Sequence, residues 1–197
     1  LEMRSRSYEN HSMFTVVTGR RRIGKTTLIS KSMGDERYVY FFVGKKNEAV
    51  LCAEFAAEMR LKLGIFVPEG IRTFKDIFSI LMQEGRRRNC TVVIDEFQNF
   101  GDVNPSIFSD IQNIWDQFRL NTHIHLIVSG SIYSLMTKIF KDKKEPLYGR
   151  DDKTIKLLPF APSVMKEIMA EYAPDHTNDD LLALYTYTGG VPKYIEL

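Results

Sequence analysis

Hydrophobic residues recur in two rhythms along the chain. Short apolar runs without alternation occupy 13–18 (MFTVVT), 38–43 (YVYFFV), 91–94 (TVVI) and 124–128 (IHLIV). Runs of this kind predict strands covered on both faces, as in a parallel sheet flanked by helices. TIKLLPF at 154–160 predicts a fifth strand, ended by Pro159. Between these runs the apolar residues follow helical spacing. A helix is predicted from Gly24 or Lys25 to Met33, and a second over 47–63, rich in helix formers and capped by Asn47. A third starts at Thr73, with Phe74, Ile77, Phe78 and Leu81 facing the sheet. Over 106–118, Ile107, Ile111, Ile114, Trp115 and Phe118 form one stripe, with Trp115 as a core anchor. Helices follow at 131–140, at 163–172 with Ser163 as cap, and at 179–188, where Gly189 and Gly190 stop the last one. A turn at 34–36, a break at 64–70 containing Pro68, a loop at 101–105 and a charged loop at 141–153 separate these elements. Strand and helix alternate throughout, which predicts an α/β domain with a mostly parallel sheet and right-handed crossovers.

Composition changes this picture little. The 197 residues suit one domain, or one domain and part of another. With 44% hydrophobic and 26% charged residues, the chain is neither disordered nor fibrous. A net charge of +2 neither requires nor excludes nucleic acid, and GRRR at 19–22, GRRRN at 85–89 and KDKK at 141–144 supply local basic clusters. Cys52 and Cys90 sit among apolar neighbours and read as buried thiols, without metal-binding spacing. No apolar run is long enough to span a bilayer and no signal peptide opens the chain, so the expected location is cytoplasmic, with no membrane partner. The start at Leu1 and the close in YIEL are those expected of a piece cut from a longer protein.

The chemistry is concentrated at strand ends. Residues 19–26, GRRRIGKT, fit G-x-x-x-x-G-K-[ST] between a predicted strand and a predicted helix. Gly19 and Gly24 let the backbone of Arg20, Arg21, Arg22 and Ile23 curl around a diphosphate, where amide groups and the helix N-terminus form an anion nest. Lys25 can reach β and γ phosphates, the Thr26 hydroxyl can hold Mg²⁺, and Thr27 can donate near the α phosphate. The three arginines either touch nucleotide or form a solvated or subunit-contacting face.

TVVIDEFQNF adds two acids where a buried strand ends. Asp95 suits Mg²⁺, directly or through water, and Glu96 suits a group that orients or activates an attacking water. In LIVSGSIYSLM, Ser129 and Ser131 end another strand, where either hydroxyl can contact phosphate or that water. A plain turn and helix cap is the alternative for both. All these residues fall where open α/β sheets collect ligands, beyond the carboxyl ends of the strands.

TGRRRIGKTTLI, VVIDEFQNF, LIVSGSIYSLM, PLYGR before IKLLPF, and the terminal TGGVPKYIEL together resemble the archaeal ATPase family, AAA-related and grouped with the signal-transducing multidomain P-loop ATPases. The resemblance runs from about Met13 to Leu197. It implies a three-layer P-loop NTPase fold with strand order 5-1-4-3-2, and ATP rather than GTP as nucleotide. Lys25 and Thr26 become the phosphate and magnesium residues, Asp95 the magnesium-side acid, Glu96 the catalytic glutamate and Ser129 the first sensor residue. Arg150 matches an arginine that senses nucleotide or reaches a neighbouring subunit, and Pro192 matches a residue approaching adenine. Tyr185 and Tyr187 are expected to pack in the core or lid. The opening LEMRSRSYENHSMF departs from the family's usual F-x-GR-x-x-E-L segment. Residues 1–188 then form the ATPase core, and 189–197 begin a helical lid or winged-helix region. The expected activity is Mg²⁺-dependent ATP binding and hydrolysis by the motor or switch core of a larger protein. The alternative is a nucleotide-gated module with little turnover. Expected partners are a homo-oligomer or another protein, with DNA reached through the basic clusters or a missing C-terminal domain.

Overall fold

The structure, a computed structural model, describes residues 2–34 and 38–195. Five strands, β1 (Met13–Thr18), β2 (Tyr38–Phe42), β3 (Cys90–Asp95), β4 (Ile124–Gly130) and β5 (Lys153–Lys156), form one sheet. Their order is β2-β3-β4-β1-β5 and every pairing is parallel. This is the expected 5-1-4-3-2 arrangement read from the opposite edge. The three central strands are buried along their whole length, which accounts for their unbroken apolar runs.

Helices α1 (Glu2–Glu9), α2 (Lys25–Met33), α3 (Glu48–Leu63), α4 (Phe74–Glu84), α5 (Phe100–Val103), α6 (Ile107–Phe118), α7 (Tyr133–Lys141), α8 (Pro162–Tyr172) and α9 (Asn178–Thr188) complete the described fold. Alternate strand residues point to opposite faces. Phe14, Val16, Val39, Phe41, Val92, Ile94, Leu126 and Val128 enter the larger core, shared with α3, α4, α6 and α7. Trp115 anchors that core as expected, with its ring 5.3 Å from that of Phe14. On the other face Val17, Val93 and Ile127 pack against Ile29 and Met33 of α2, with Tyr38 and Tyr40 beside them. Helix α1 adds to the same layer, and its Tyr8 hydroxyl meets Thr91 Oγ1 at 2.7 Å. Helices thus cover both faces in a three-layer α/β domain.

Local rules explain most boundaries. Asn47 Oδ1 accepts the Val50 amide, and Thr73 Oγ1 accepts that of Asp76, so both caps form. Thr177 and Asp180 build a reciprocal capping box at α9, and Gly189 ends that helix at φ 58°. Cys52 and Cys90 are free and buried, and burial pushes both thiols up to about 12.

Several expectations need correction. Helix α1 has no strong apolar stripe to announce it; tertiary docking of Ser7 and Tyr8 supplies what its sequence lacks. The loop expected at 101–105 is helical over its first half, because fully buried Phe97 and Phe100 draw the chain into a 3₁₀ turn and then α5. Strand β5 stops at Lys156, since its partner β1 ends at Thr18; one last bond runs from the Leu157 amide to the Thr18 carbonyl, and Leu158 is exposed. Pro162 rather than Ser163 opens α8, at a first-turn position that lacks an N–H requirement. Tyr187 is 89% exposed and so does not pack in the core. Gly34 follows α2 at φ 59°, while Asp35 and Glu36 of the expected turn lie outside the described residues.

Candidate phosphate-binding site

The carboxyl ends of β1 and β3, the start of α2 and a segment near the C-terminus enclose a cleft of about 590 Å³. Its floor is the loop between β1 and α2. Gly19 is buried there, and a Cβ on it would lie 2.9 Å from both Ile23 Cγ2 and the Leu157 carbonyl oxygen. The first glycine is therefore demanded by close approach to the chain leaving β5. Gly24 takes φ 90° and Arg22 takes φ 68°, so the loop turns through two left-handed positions just before α2. Such a turn aims successive amides inward, beside the unpaired amides of the helix N-terminus.

Lys25 is 7% exposed, and its Nζ donates to the carbonyls of Gly19 at 2.9 Å and Arg20 at 3.3 Å. Burial lowers its pKa, and the carboxylates of Glu96 and Asp95 oppose that shift. The ammonium thus lies folded over the cradle, within reach of whatever anion enters it. Arg21, Arg22, Ile23, Thr26 and Thr27 also line the cleft. Gly19 and Arg20 shape the loop without being among the lining residues.

Asp95 and Glu96 face this cradle and have separate partners. Asp95 Oδ2 accepts from Thr26 Oγ1 at 3.3 Å and from the Tyr40 hydroxyl at 2.5 Å. Its Oδ1 accepts from Ser129 Oγ and, at 2.9 Å, from the Glu96 amide. Burial first, and then the bond to Asp95, raise the pKa of Tyr40, so its phenol remains a donor. Glu96 takes φ 54°, unusual for a residue with a side chain. Its Oε2 accepts from Gln98 Nε2 at 2.5 Å and from Ser131 Oγ at 2.7 Å. The two serines therefore divide, Ser129 behind Asp95 and Ser131 on Glu96.

The donor set suits Mg²⁺. Thr26 and Asp95 offer neighbouring hard oxygens, and no cluster of three or more His, Cys, Asp or Glu among the described residues suggests a softer metal. A site of one hydroxyl and one carboxylate leaves the remaining positions to water and phosphate, the usual arrangement for this ion.

The roof comes from the C-terminal segment. Pro192 and Lys193 line the cleft opposite the loop, beside Phe160 and Leu157. Gly190 is fixed there at φ 69°: its carbonyl accepts the Phe160 amide at 2.8 Å, and a Cβ on it would lie 2.3 Å from the Phe160 carbonyl oxygen. Arg22 reaches this roof too, with its guanidinium 5.5 Å from the Tyr194 ring centre. Glu196 and Leu197 lie outside the described residues.

Arg150 is not brought to the cleft. Its guanidinium grips Asp116 of α6 through Nε and Nη2, the latter at 2.7 Å. Two residues later, Asp152 bonds to Phe14 near the start of β1, so Arg150 lies toward the amino edge of the sheet. The basic clusters away from the cleft are also partly occupied: Arg86 lies over the Phe118 ring, Arg88 pairs with Glu84 and Lys141 with Asp151. Sequence reasoning missed Tyr40 and Gln98. The DEFQ string displayed Gln98 without indicating its target, and nothing in YVYFFV set Tyr40 apart from core residues.

Comparison with known proteins gives the chain a family and its fold relatives. Residues 2–197 match the family described as an ATPase domain predominantly from Archaea. An uncharacterized protein of Methanocaldococcus jannaschii is 29% identical over 187 residues, covering 95% of this chain and 39% of that protein. The chain thus spans about two-fifths of that relative's length. A Walker-type ATPase of Pyrococcus abyssi superposes with a TM-score of 0.65 at 18% identity, covering 91% of this chain and 59% of the other. The Aeropyrum pernix ORC2 protein, solved in ADPNP–ADP complexes, gives 0.60 at 15% identity, with 88% and 49% covered. The last two likenesses are of fold.

Proposed function

This chain belongs to the family of ATPase domains predominantly from Archaea, and from that premise we propose that its cleft binds ATP with Mg²⁺ and hydrolyses the γ phosphate. The observation that carries this reading is the convergence of Lys25, Thr26, Asp95 and Glu96 on one cleft from two central strands. The loop amides hold the β phosphate. Lys25 exchanges its bonds to the Gly19 and Arg20 carbonyls for phosphate oxygens and offsets the charge that grows on them. Thr26 and Asp95 would hold Mg²⁺, which would neutralise part of the phosphate charge when bound. Glu96 aligns the attacking water and accepts its proton as the water's bond to the γ phosphorus forms and the bond from that phosphorus to the bridging β-phosphate oxygen breaks, with ADP leaving. Ser129 acts from behind, by orienting Asp95. Gly19, Arg20 and Ile23 shape the cradle, Arg21, Arg22 and Thr27 border the phosphates, and Pro192 flanks the base.

Arg150 faces away from this chain's own cleft. Of the two roles implied for it, contact with a neighbouring subunit is the one its position favours. We assign residues 1–188 to the core and 189–197 to the beginning of a helical lid or winged-helix region. The buried free thiols accord with a cytoplasmic location, and among the described residues no helix is long and apolar enough to cross a membrane. One solved structure of the same fold is an Aeropyrum pernix ORC1 protein in complex with DNA. For this chain, DNA is a partner to be tested by titration at several salt concentrations.

ATP turnover by the wild type and Glu96→Gln tests the reading. We expect a loss of roughly 100-fold or more in the variant, with ATP affinity retained. Lys25→Ala should lose affinity as well, read by calorimetry. Equal turnover in wild type and Glu96→Gln refutes the assignment of Glu96. A second reading, a nucleotide-gated module with little turnover, is favoured by the bonds that already engage Glu96 from Gln98 and Ser131. Negligible wild-type turnover with ATP-dependent partner capture would select it.

A further inference from the structure

Asp95 is held by a residue from the far edge of the sheet that none of the phosphate-loop or acid motifs contains. Tyr40 belongs to edge strand β2, where it pairs with Val93, while Phe42 pairs with Asp95. Tyr40, Val93 and Asp95 therefore project from the same face, the one covered by α2. Tyr40 sits two residues short of the level of Asp95, a gap of roughly 6.6 Å along the strand. A phenol spans that distance, and a serine or threonine at the same position would not. Its ring packs against the smaller core, and its hydroxyl ends 2.5 Å from Asp95 Oδ2.

The same oxygen accepts from Thr26 Oγ1 at 3.3 Å. A divalent cation held directly by both oxygens would compete with that bond, whereas one held by Thr26 and reaching Asp95 through water would leave it in place, since a hydroxyl can donate its hydrogen and offer a lone pair at once. The Tyr40 bond is spared, since it approaches from β2 rather than from α2. With direct ligation, Tyr40 is the side-chain donor left on Oδ2 among the described residues, and with ligation through water it shares that oxygen with Thr26; in both cases Ser129 and the Glu96 amide keep Oδ1. The carboxylate is thus gripped at both oxygens before and after an ion arrives.

We propose that Tyr40 is a positioning residue for the magnesium corner, holding Asp95 Oδ2 beside Thr26 Oγ1, where it can face an ion directly or through water. The proposal rests on the reading of the cleft as a magnesium–nucleotide site. It gives the edge strand a role in cation binding, since a shift of β2 would move Oδ2 through one hydrogen bond. Outer partners of this kind typically set metal affinity within an order of magnitude or two.

The test is ADP binding measured by calorimetry, in EDTA and across a Mg²⁺ series, for the full chain and three variants. Tyr40→Phe keeps the ring and removes the donor. Its Mg²⁺ midpoint should rise roughly tenfold, while ADP affinity in EDTA stays within about twofold of wild type. Tyr40→Met fills the same space with a flexible apolar chain, and should shift the midpoint equally if the phenylalanine variant proves too unstable to assay. An unchanged midpoint in a cooperatively melting variant overturns the proposal. An equal loss of affinity with and without Mg²⁺ also overturns it, because that marks a structural role alone. Asp95→Asn separates the two levels. If it too leaves the Mg²⁺ dependence untouched, the magnesium reading of the cleft fails; if it abolishes that dependence and the Tyr40 variants do not move it, only the role of Tyr40 fails.

Discussion

Acid should destabilise this domain through a single histidine. His125 sits on β4, between Met13 of β1 and Thr91 of β3, and is 4% exposed. Its Nε2 lies 2.9 Å from Thr15 Oγ1, while Nδ1 is buried without a partner among the described residues. A proton on that second nitrogen would place a charge in a site with nothing to receive it. Burial, helped by the charge of Arg4, accordingly lowers the pKa of His125 from 6.5 to about 4. The unfolded chain takes up its proton near the ordinary value and the folded chain only near the lowered one. Stability is therefore whole above the ordinary value and falls as the pH drops toward 4. The loss works out to about 2 kcal/mol by about pH 5 and about 3 kcal/mol by about pH 4. Against a typical total of about 5–15 kcal/mol, that is a large share.

Urea unfolding at about pH 8 and about pH 5 measures the effect, with His125→Gln as reference. The glutamine amide can keep a bond to Thr15 and binds no proton, so carboxylate titrations common to both chains cancel in the comparison. The wild type should lose about 2 kcal/mol more than the variant over that interval. Parallel losses in the two chains would refute the argument, and would mean that the imidazole finds a partner or solvent when protonated.

Two glycines carry the remaining predictions. A Cβ at Gly130 would come within 2.4 Å of Gln98 Oε1 and of Met136 Sδ, so Gly130→Ala should cost about 1–3 kcal/mol by overpacking and should displace Gln98 from Glu96; thermal melting and ATP turnover read the two effects. Gly190→Ala meets both a left-handed φ of 69° and the Phe160 carbonyl, so at least about 1–2 kcal/mol should appear as loosening of the C-terminal segment, read as faster amide exchange over 189–195 and weaker ADP binding.

The sequence displayed the parts of the site whose chemistry lies in the backbone or in residues adjacent along the chain. GRRRIGKT was legible because two glycines and a lysine at fixed spacing have few other uses between a strand and a helix. Asp95 and Glu96 were legible less by themselves, since acids commonly begin loops, than by ending an apolar run in a chain that also carries GRRRIGKT. Tyr40 was not, because its role depends on register: only the pairing of Phe42 with Asp95 shows that a phenol two residues earlier can reach the carboxylate. Helix α1 was hidden for a related reason, its stability lying in contacts with β1 and β4 rather than in its own pattern. The end of β5 was misjudged because LLPF keeps an apolar pattern after the strand it pairs with has stopped.

The cleft joins a firm floor to a less firmly held roof. Its floor is the end of fully buried strands, with Lys25 and Asp95 nearly sealed from solvent. The roof descends from α8 and α9, which bury only Met165, Met169 and Thr188 among their described residues and belong to neither core cluster. The roof segment itself buries Val191 and Ile195, so opening it would also expose these side chains. Among the contacts that tie it down are the Phe160–Gly190 backbone pair, Arg22 reaching Tyr194 from the phosphate loop, and the burial of Val191 and Ile195. On the proposed reading, a nucleotide that touched both the loop and Pro192 would favour the arrangement in which the two are close by its difference in affinity for it. Arg22 stands at the junction, held left-handed by the loop and stacked on the roof, so any change in the loop's shape on phosphate binding reaches Tyr194 through one side chain.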